Sequence, residues 1–226
     1  DELRALAHPL LALEAGPRGG GVPNDVLLEP MTRGLVISGP NAGGKLVLAK
    51  AVGLAALSVR AGLQILCAEG SRMPAFEGVF TDIGDAQDLR SGLSTFSARM
   101  ATLARIVAES GPHTLVILGE IGQGTEPGVG AALGGTVCAR GGEAAALAQA
   151  ALEALVERGA TVIATTHFNR LKELAGTDPR FVNACAEFDA ATLAPTYRVR
   201  VGVPRSSGGE WVAQGMGLEA EVMERG

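Results

Sequence analysis

The sequence predicts an α/β fold with a mostly parallel sheet covered by helices. Three observations carry that reading. A short apolar strand, a glycine-rich turn and a long helix-like run follow one another from Gly34 to Ala61. Two further apolar runs, His113–Leu118 and Ala160–Thr165, each end in polar residues, Gly119-Glu120 and Thr166-His167. Helical patterns separate these runs, and strands alternating with helices imply parallel strands with ligands at their C-terminal ends.

The first observation is the most specific. Leu35–Ser38 reads as a buried strand, and Gly39-Pro40-Asn41-Ala42-Gly43-Gly44-Lys45 fits Gly-x-x-x-x-Gly-Lys. Strand, glycine loop and helix together are the context of a phosphate-binding loop: backbone N–H groups curl around the anion, the helix N-terminus adds favourable dipole, and the lysine supplies a point charge. The next position normally carries a hydroxyl for Mg²⁺ and here is Leu46.

The remaining elements follow in order. Asp25–Glu29 alternates and reads as an edge strand leading into the loop. Leu63–Ala68 and Gly78–Ile83 read as strands, the second leaving through Gly84-Asp85. Ser91–Met100 opens a helix that runs to about Glu109, with Phe96, Met100, Leu103 and Val107 at helical spacing and Gly111-Pro112 as its stop. Glu143–Arg158 is an Ala-rich helix closed by Gly159, and residues 168–175 are helical. Phe181–Phe188 and Thr192–Gly202 read as paired strands. Gly209–Gln214 and Leu218–Arg225 read as short helical pieces. Gly128–Leu133 is echoed by Gly142–Leu147, and the glycine-rich segment 128–142 looks like an inserted loop.

Composition bounds the function. The 226 residues suffice for one sizeable α/β domain, 1–226. A net charge of −5 argues against a general polyanion binder, so nucleic-acid contact needs a local basic patch or another domain. Three scattered cysteines form neither a disulfide framework nor a metal spacing, which favours a reducing cytoplasm. Lys50 and Arg60 interrupt the best candidate membrane span, so no membrane is expected.

Candidate chemistry sits at the strand ends. Glu120, after the apolar run, can orient or deprotonate an attacking water, or it is an ordinary strand-end acid; the preceding Mg²⁺-orienting carboxylate is replaced by Gly119. His167 can touch a terminal phosphate or satisfy a turn. His8 and His113 read as structural. Ser94 and Thr95 are either an N-cap or an anion site for a partner's phosphate, and spacing does not decide between them.

These pieces together resemble the MutS ATPases, and within them the second, recombination-suppressing branch. The matching segments are His8-Pro-Leu-Leu11, Val22-Pro-Asn-Asp25, Gly39–Lys45, Ala68-Glu-Gly-Ser-Arg72, Asp82-Ile-Gly-Asp85, Leu93-Ser-Thr-Phe-Ser97, Glu120–Pro127, Ala164-Thr-Thr-His167, Val182-Asn-Ala184 and Pro195–Pro204. A transporter-type ATPase would carry a Leu-Ser-Gly-Gly-Gln-like segment instead of Leu93–Ser97. The resemblance implies an ABC-type ATPase fold, a P-loop NTPase with antiparallel edge strands. It implies that Lys45 and the amides of Asn41 to Leu46 hold the phosphates of ATP or ADP. Glu120 would position water and His167 would act as a switch. Val22, Pro23 and Asn24 would lie near adenine, and Gln87 would sense Mg²⁺ or water. Ser94 and Thr95 would reach a partner's ATP across a homodimer.

Residues 1–33 would supply edge strands and the adenine-side loop, and 203–226 a C-terminal helical tail. DNA would be bound by other domains, so the chain is expected to be a fragment. Mg²⁺ is expected from the family, but Leu46 and Gly119 occupy the positions of its protein ligands. The competing expectation is therefore a nucleotide-binding or dimerisation module with impaired hydrolysis. Ser206–Gly209 also departs from the branch's usual Ser-Asn-Ala.

Overall fold

The computed structural model describes residues 2–15, 21–83, 95–121, 141–189, 192 and 194–202. Thirteen α and β elements run along these residues: β1 (Glu2–Leu6), α1 (Pro9–Ala15), β2 (Asn24–Leu27), β3 (Gly34–Ser38), α2 (Lys45–Arg60), β4 (Gly78–Asp82), α3 (Thr95–Glu109), β5 (Thr114–Leu118), α4 (Gly141–Glu157), β6 (Thr161–Thr165), α5 (Asn169–Thr177), β7 (Phe181–Phe188) and β8 (Pro195–Val201). Six strands form the main sheet in the order β4-β5-β6-β3-β7-β8. The first five are mutually parallel, and β8 returns antiparallel to β7 at the edge. This is the mostly parallel, helix-covered sheet that the strand–helix alternation predicts.

The central strands are apolar on both faces because both faces are covered. Leu35, Ile37, Leu115, Ile117 and Ile163 point to one side, where α2 packs with Leu48, Val52, Ala55 and Ala56. Val36, Val116, Leu118, Val162 and Ala164 point to the other, against Leu103 and Ile106 of α3, Leu152 and Leu155 of α4, and Leu171 of α5. Alternate residues of one strand thus feed two cores. The small residues of α2 bring its axis close to the sheet: a Cβ on Gly53 would lie 2.6 Å from Ile117 Cδ1. Arg60 in the last turn of α2 suits the negative end of the helix dipole, and Gly62, at φ +71°, ends the helix in the left-handed region.

Two elements differ from the sequence reading. Leu63–Ala68 is not a strand. Its backbone makes only scattered bonds to the N-terminal strand, Ala7 N–H to Leu66 O (3.0 Å) and Ala68 N–H to Arg4 O (2.7 Å), and Leu63 and Leu66 are exposed. No strand offers a continuous ladder there, because β1 itself is bent by the left-handed Ala5, at φ +48°. Second, β2 pairs antiparallel with β1 in a separate two-stranded sheet instead of edging the main one. The segment His8-Pro9-Leu10-Leu11 leads into the seven-residue helix α1, which begins at Pro9. Proline is preorganised for a helix's first position, and Ala12 N–H bonds to His8 O at 3.0 Å.

The helix beginning in Ser91–Met100 is described from Thr95. Leu103 and Ile106 are buried, and Met100 and Val107 pack at the margin. The Ala-rich helix closes at Gly159, where φ is +85°. Gly84-Asp85, most of the 128–142 segment and residues 203–226 lie outside the described residues. No described helix is long and apolar enough to cross a membrane.

Candidate nucleotide site

The site grows from the C-terminal end of β3, a central strand with parallel neighbours on both sides. Ser38 closes the strand, its Oγ donating to Ala184 O of β7 at 3.2 Å. The chain then turns through three glycines for separate reasons. Gly39 has φ +127°, and a Cβ there would lie 3.0 Å from Ala186 Cβ and 3.3 Å from its backbone N and O. Gly43 closes a 3-10 turn, Asn41–Gly43, and a Cβ would come within 2.8 Å of Ala186 Cβ. Gly44 has φ +84° and lies against the ring of Tyr197. The glycines therefore let the loop sit directly against Ala186 of β7 and Tyr197 of β8. No side chain caps the N-terminus of α2. A helix head without a side-chain cap, following a glycine loop, suits an anion site.

Lys45, the first residue of α2, is buried, with only 1% of its surface exposed. Its ammonium donates to Gly39 O at 2.5 Å and stands 3.4 Å from Glu120 Oε1. The other carboxylate oxygen of Glu120 meets His167 Nε2 at 2.8 Å. The strand ends of β3, β5 and β6 thus bring Lys45, Glu120 and His167 into one chain of contacts. Burial pushes the Lys45 pKa below the usual lysine value, and the adjacent Glu120 charge opposes that shift. His167 is also pushed down, first by desolvation and then by the Lys45 charge, with Glu120 opposing and Lys172 adding to the depression.

Glu120 is held in a costly conformation. Its φ is +49°, left-handed for a residue with a side chain. Thr165 fixes it there: Glu120 N–H donates to Thr165 Oγ1 at 2.8 Å, and Ile121 N–H to Thr165 O at 3.0 Å. Thr166 in turn anchors the approach to His167, its N–H bonding to Ile37 O (3.1 Å) and its Oγ1 accepting from Phe168 N–H (3.1 Å).

Val22, Pro23 and Asn24 lie beside the same end of the sheet. Asn24 Nδ2 donates to Val22 O (3.0 Å) and Tyr197 O (3.1 Å), and its Oδ1 accepts from Val199 N–H (2.7 Å). The small N-terminal sheet is thus stitched to β8, whose Tyr197 touches the loop. Thr95 opens α3, and Arg99, one turn on, donates to Gly119 O at 2.7 Å. Gln87 and Ser94 lie outside the described residues. Several residues of the matching segments are structural. Ser71 Oγ accepts from Arg4 N–H at 3.0 Å, and Asn183 Nδ2 donates to Lys172 O at 2.5 Å, tying α5 to β7. Sequence reasoning passed over Thr165, Arg99 and Tyr197. Thr165 could have been found from its place at a buried strand end. Tyr197, the chain's one tyrosine, lies inside the matching segment Pro195–Pro204 without an assigned role.

Mg²⁺ does not fit the described residues at the two positions that would hold it. Positions 46 and 119 offer no side-chain oxygen, and a Cβ on Gly119 would lie 3.2 Å from Leu46 Cδ1. Nearby Asp82 faces Arg99, with 3.5 Å between Oδ2 and Nε. Among the described residues, no group of three or more His, Cys, Asp or Glu comes together to hold an ion.

Comparison with known proteins agrees with this architecture. The family MutS domain V matches residues 35–226. The chain is 46% identical over 224 residues to Endonuclease MutS2 of Anaeromyxobacter sp. (strain Fw109-5), covering 99% of this chain and 26% of that protein. It is 43% identical over 224 residues to Endonuclease MutS2 of Pelotomaculum thermopropionicum, again covering 99% of this chain and 26% of the relative. It is 44% identical over 223 residues to Endonuclease MutS2 of Thermomicrobium roseum, with the same coverage of 99% and 26%. The chain spans about a quarter of the length of the curated relatives it matches. With domain V matched over most of its length and MutS2 proteins similar along nearly all of it, the chain belongs to the MutS family, in its second branch.

Proposed function

We propose that this chain is the ATP-binding and ATPase domain of a DNA repair or recombination protein. The observation that carries the reading is the contact chain Lys45–Glu120–His167 at the uncapped head of α2. ATP or ADP sets its β- and γ-phosphates against the amides of residues 41–46. A phosphate oxygen replaces the Gly39 carbonyl as the partner of the Lys45 ammonium. Glu120, released from Lys45, accepts a proton from the attacking water as its oxygen bonds to the γ-phosphorus and the β–γ bridge breaks. His167 contacts the terminal phosphate. Val22, Pro23 and Asn24 lie along the base. Gln87 belongs to the loop that senses Mg²⁺ or water. Ser94 and Thr95 reach the nucleotide of a second copy, so ATP closes a homodimer. DNA is held by other domains in the cytoplasm, and 128–142 is an insertion beside the dimer face.

Equilibrium binding and turnover test this together. Lys45→Ala abolishes ATP and ADP binding, and Glu120→Gln keeps binding but loses turnover by about 10²–10⁴-fold. Unchanged binding in Lys45→Ala would defeat the nucleotide reading. The packing of Leu46 on Gly119 favours a second reading: a module that binds nucleotide and dimerises, with turnover far below that of a complete site. A wild-type turnover indistinguishable from that of Glu120→Gln supports the second.

A further inference from the structure

We infer that this domain takes its nucleotide as the free polyphosphate anion, without a divalent cation, because Leu46 and Gly119 are a matched pair that fills the cation's seat. The inference rests on the nucleotide reading above and adds the chemical form of the ligand.

A phosphate-loop site normally brackets its cation between a hydroxyl after the loop lysine and a carboxylate at the end of a neighbouring strand. Here those two positions face each other and are complementary in shape. The direction in which a side chain would leave residue 119 is closed by Leu46 Cδ1 at 3.2 Å, Ile83 Cα at 3.3 Å and Asp82 O at 3.4 Å. With leucine at 46, a Cβ at 119 would make Leu46 give by a few tenths of an ångström, so the pair favours glycine at 119, and neither residue supplies a ligand oxygen.

Among the described residues, the oxygens of Gly119 and Asp82 are already engaged. Gly119 O accepts from Arg99 Nη2 at 2.7 Å, and the Asp82 carboxylate lies 3.5 Å from Arg99 Nε. Asp82 O accepts from Gly119 N–H at 2.8 Å. Arg99 is thus a resident cation bridging β4 and β5 at the place where an ion would compete for the same oxygens. Mg²⁺ demands near-octahedral oxygen ligands and dehydrates reluctantly, so methyl groups and a guanidinium are a poor replacement for its water. The phosphate charge instead meets Lys45, whose ammonium lies inside the loop, and the head of α2, which no side chain caps.

Single repairs should therefore fail. In Gly119→Asp the new side chain runs into Leu46, and in Leu46→Ser the hydroxyl faces no carboxylate. Only Leu46→Ser together with Gly119→Asp rebuilds a seat. The test is ADP and ATP binding by calorimetry, in Mg²⁺ and in EDTA, on wild type, both single variants and the double variant. Wild-type dissociation constants are expected to agree within about twofold between the two buffers, while Mg²⁺ tightens the double variant by about tenfold or more. Mn²⁺ paramagnetic resonance gives a second readout: immobilised Mn²⁺ with ATP in the double variant, free Mn²⁺ in wild type. Wild type alone decides the matter should the double variant not fold. Tightening of wild type by Mg²⁺ of about tenfold, or immobilised Mn²⁺ in its ATP complex, overturns the inference and leaves the nucleotide reading standing. Absence of nucleotide binding in both buffers overturns the nucleotide reading, and this inference with it.

Discussion

Lys45 shows how much a single side chain is asked to do. An ammonium this deeply buried needs anionic or carbonyl partners, and it finds the Gly39 carbonyl and Glu120. Glu120 then acts on His167 from its other oxygen. The consequence can be read by NMR. His167 is expected to titrate below the ordinary histidine value near 6.5. Glu120→Gln removes a contribution that raises it, so the midpoint falls further, whereas Lys45→Met removes one that lowers it, so the midpoint rises. A midpoint that neither variant moves would show the contact chain to be absent in solution. The stability linkage has a definite sign: with the folded value depressed, the unfolded chain takes the proton first. This residue's contribution is therefore lost as pH falls from the unfolded value through the folded one. At the residue scale Lys45, Glu120 and His167 were all legible, because each ends a motif or an apolar run. The left-handed backbone of Glu120 and its hold by Thr165 were not, since they arise only where β5 and β6 lie side by side.

At the scale of elements, close approach decides which residues are allowed. Gly34 begins β3 under the ring of Phe181, where a Cβ would fall 2.2 Å from Cδ1 and 2.4 Å from Cε1. Phe181 is itself buried, so its ring has nowhere inexpensive to go. Gly34→Ala is expected to lower stability by about 1–3 kcal/mol, as overpacked cores do, measured by denaturant unfolding. A loss below the error of the measurement would mean that the ring moves freely. Elements with a strong pattern were legible: the glycine loop, the Ala-rich helix and the buried strands. Leu63–Ala68 was misread because an apolar stretch of strand length says nothing about whether a partner edge is waiting. The edge was already bent at Ala5. The pairing of β2 with β1 instead of with the main sheet was hidden for the same reason, as register and partner belong to two segments and not to one.

At the scale of the whole molecule, one sheet separates two apolar layers, and alternate residues of the same strand stabilise different helices. Leu152 of α4 is fully buried in the second layer. Leu152→Ala is expected to cost about 2–5 kcal/mol, and because β3, β5 and β6 are shared, fluorescence and circular dichroism should report the same lowered midpoint. Two separated transitions would show that the layers unfold independently.

The amino-acid order by itself determined the α/β class, the glycine loop before a long helix, the acid and the histidine at two strand ends, and the leucine and glycine at positions 46 and 119. Each of these is written locally, in periodicity, glycine placement or the identity of one side chain. Only the tertiary structure decided that Leu46 and Gly119 meet, that Arg99 holds the oxygens between β4 and β5, and that Asn24 and Tyr197 join the N-terminal sheet to the loop. Those contacts link residues far apart along the chain. Their geometry is set by which strands become neighbours, a choice made by burying two apolar faces at once.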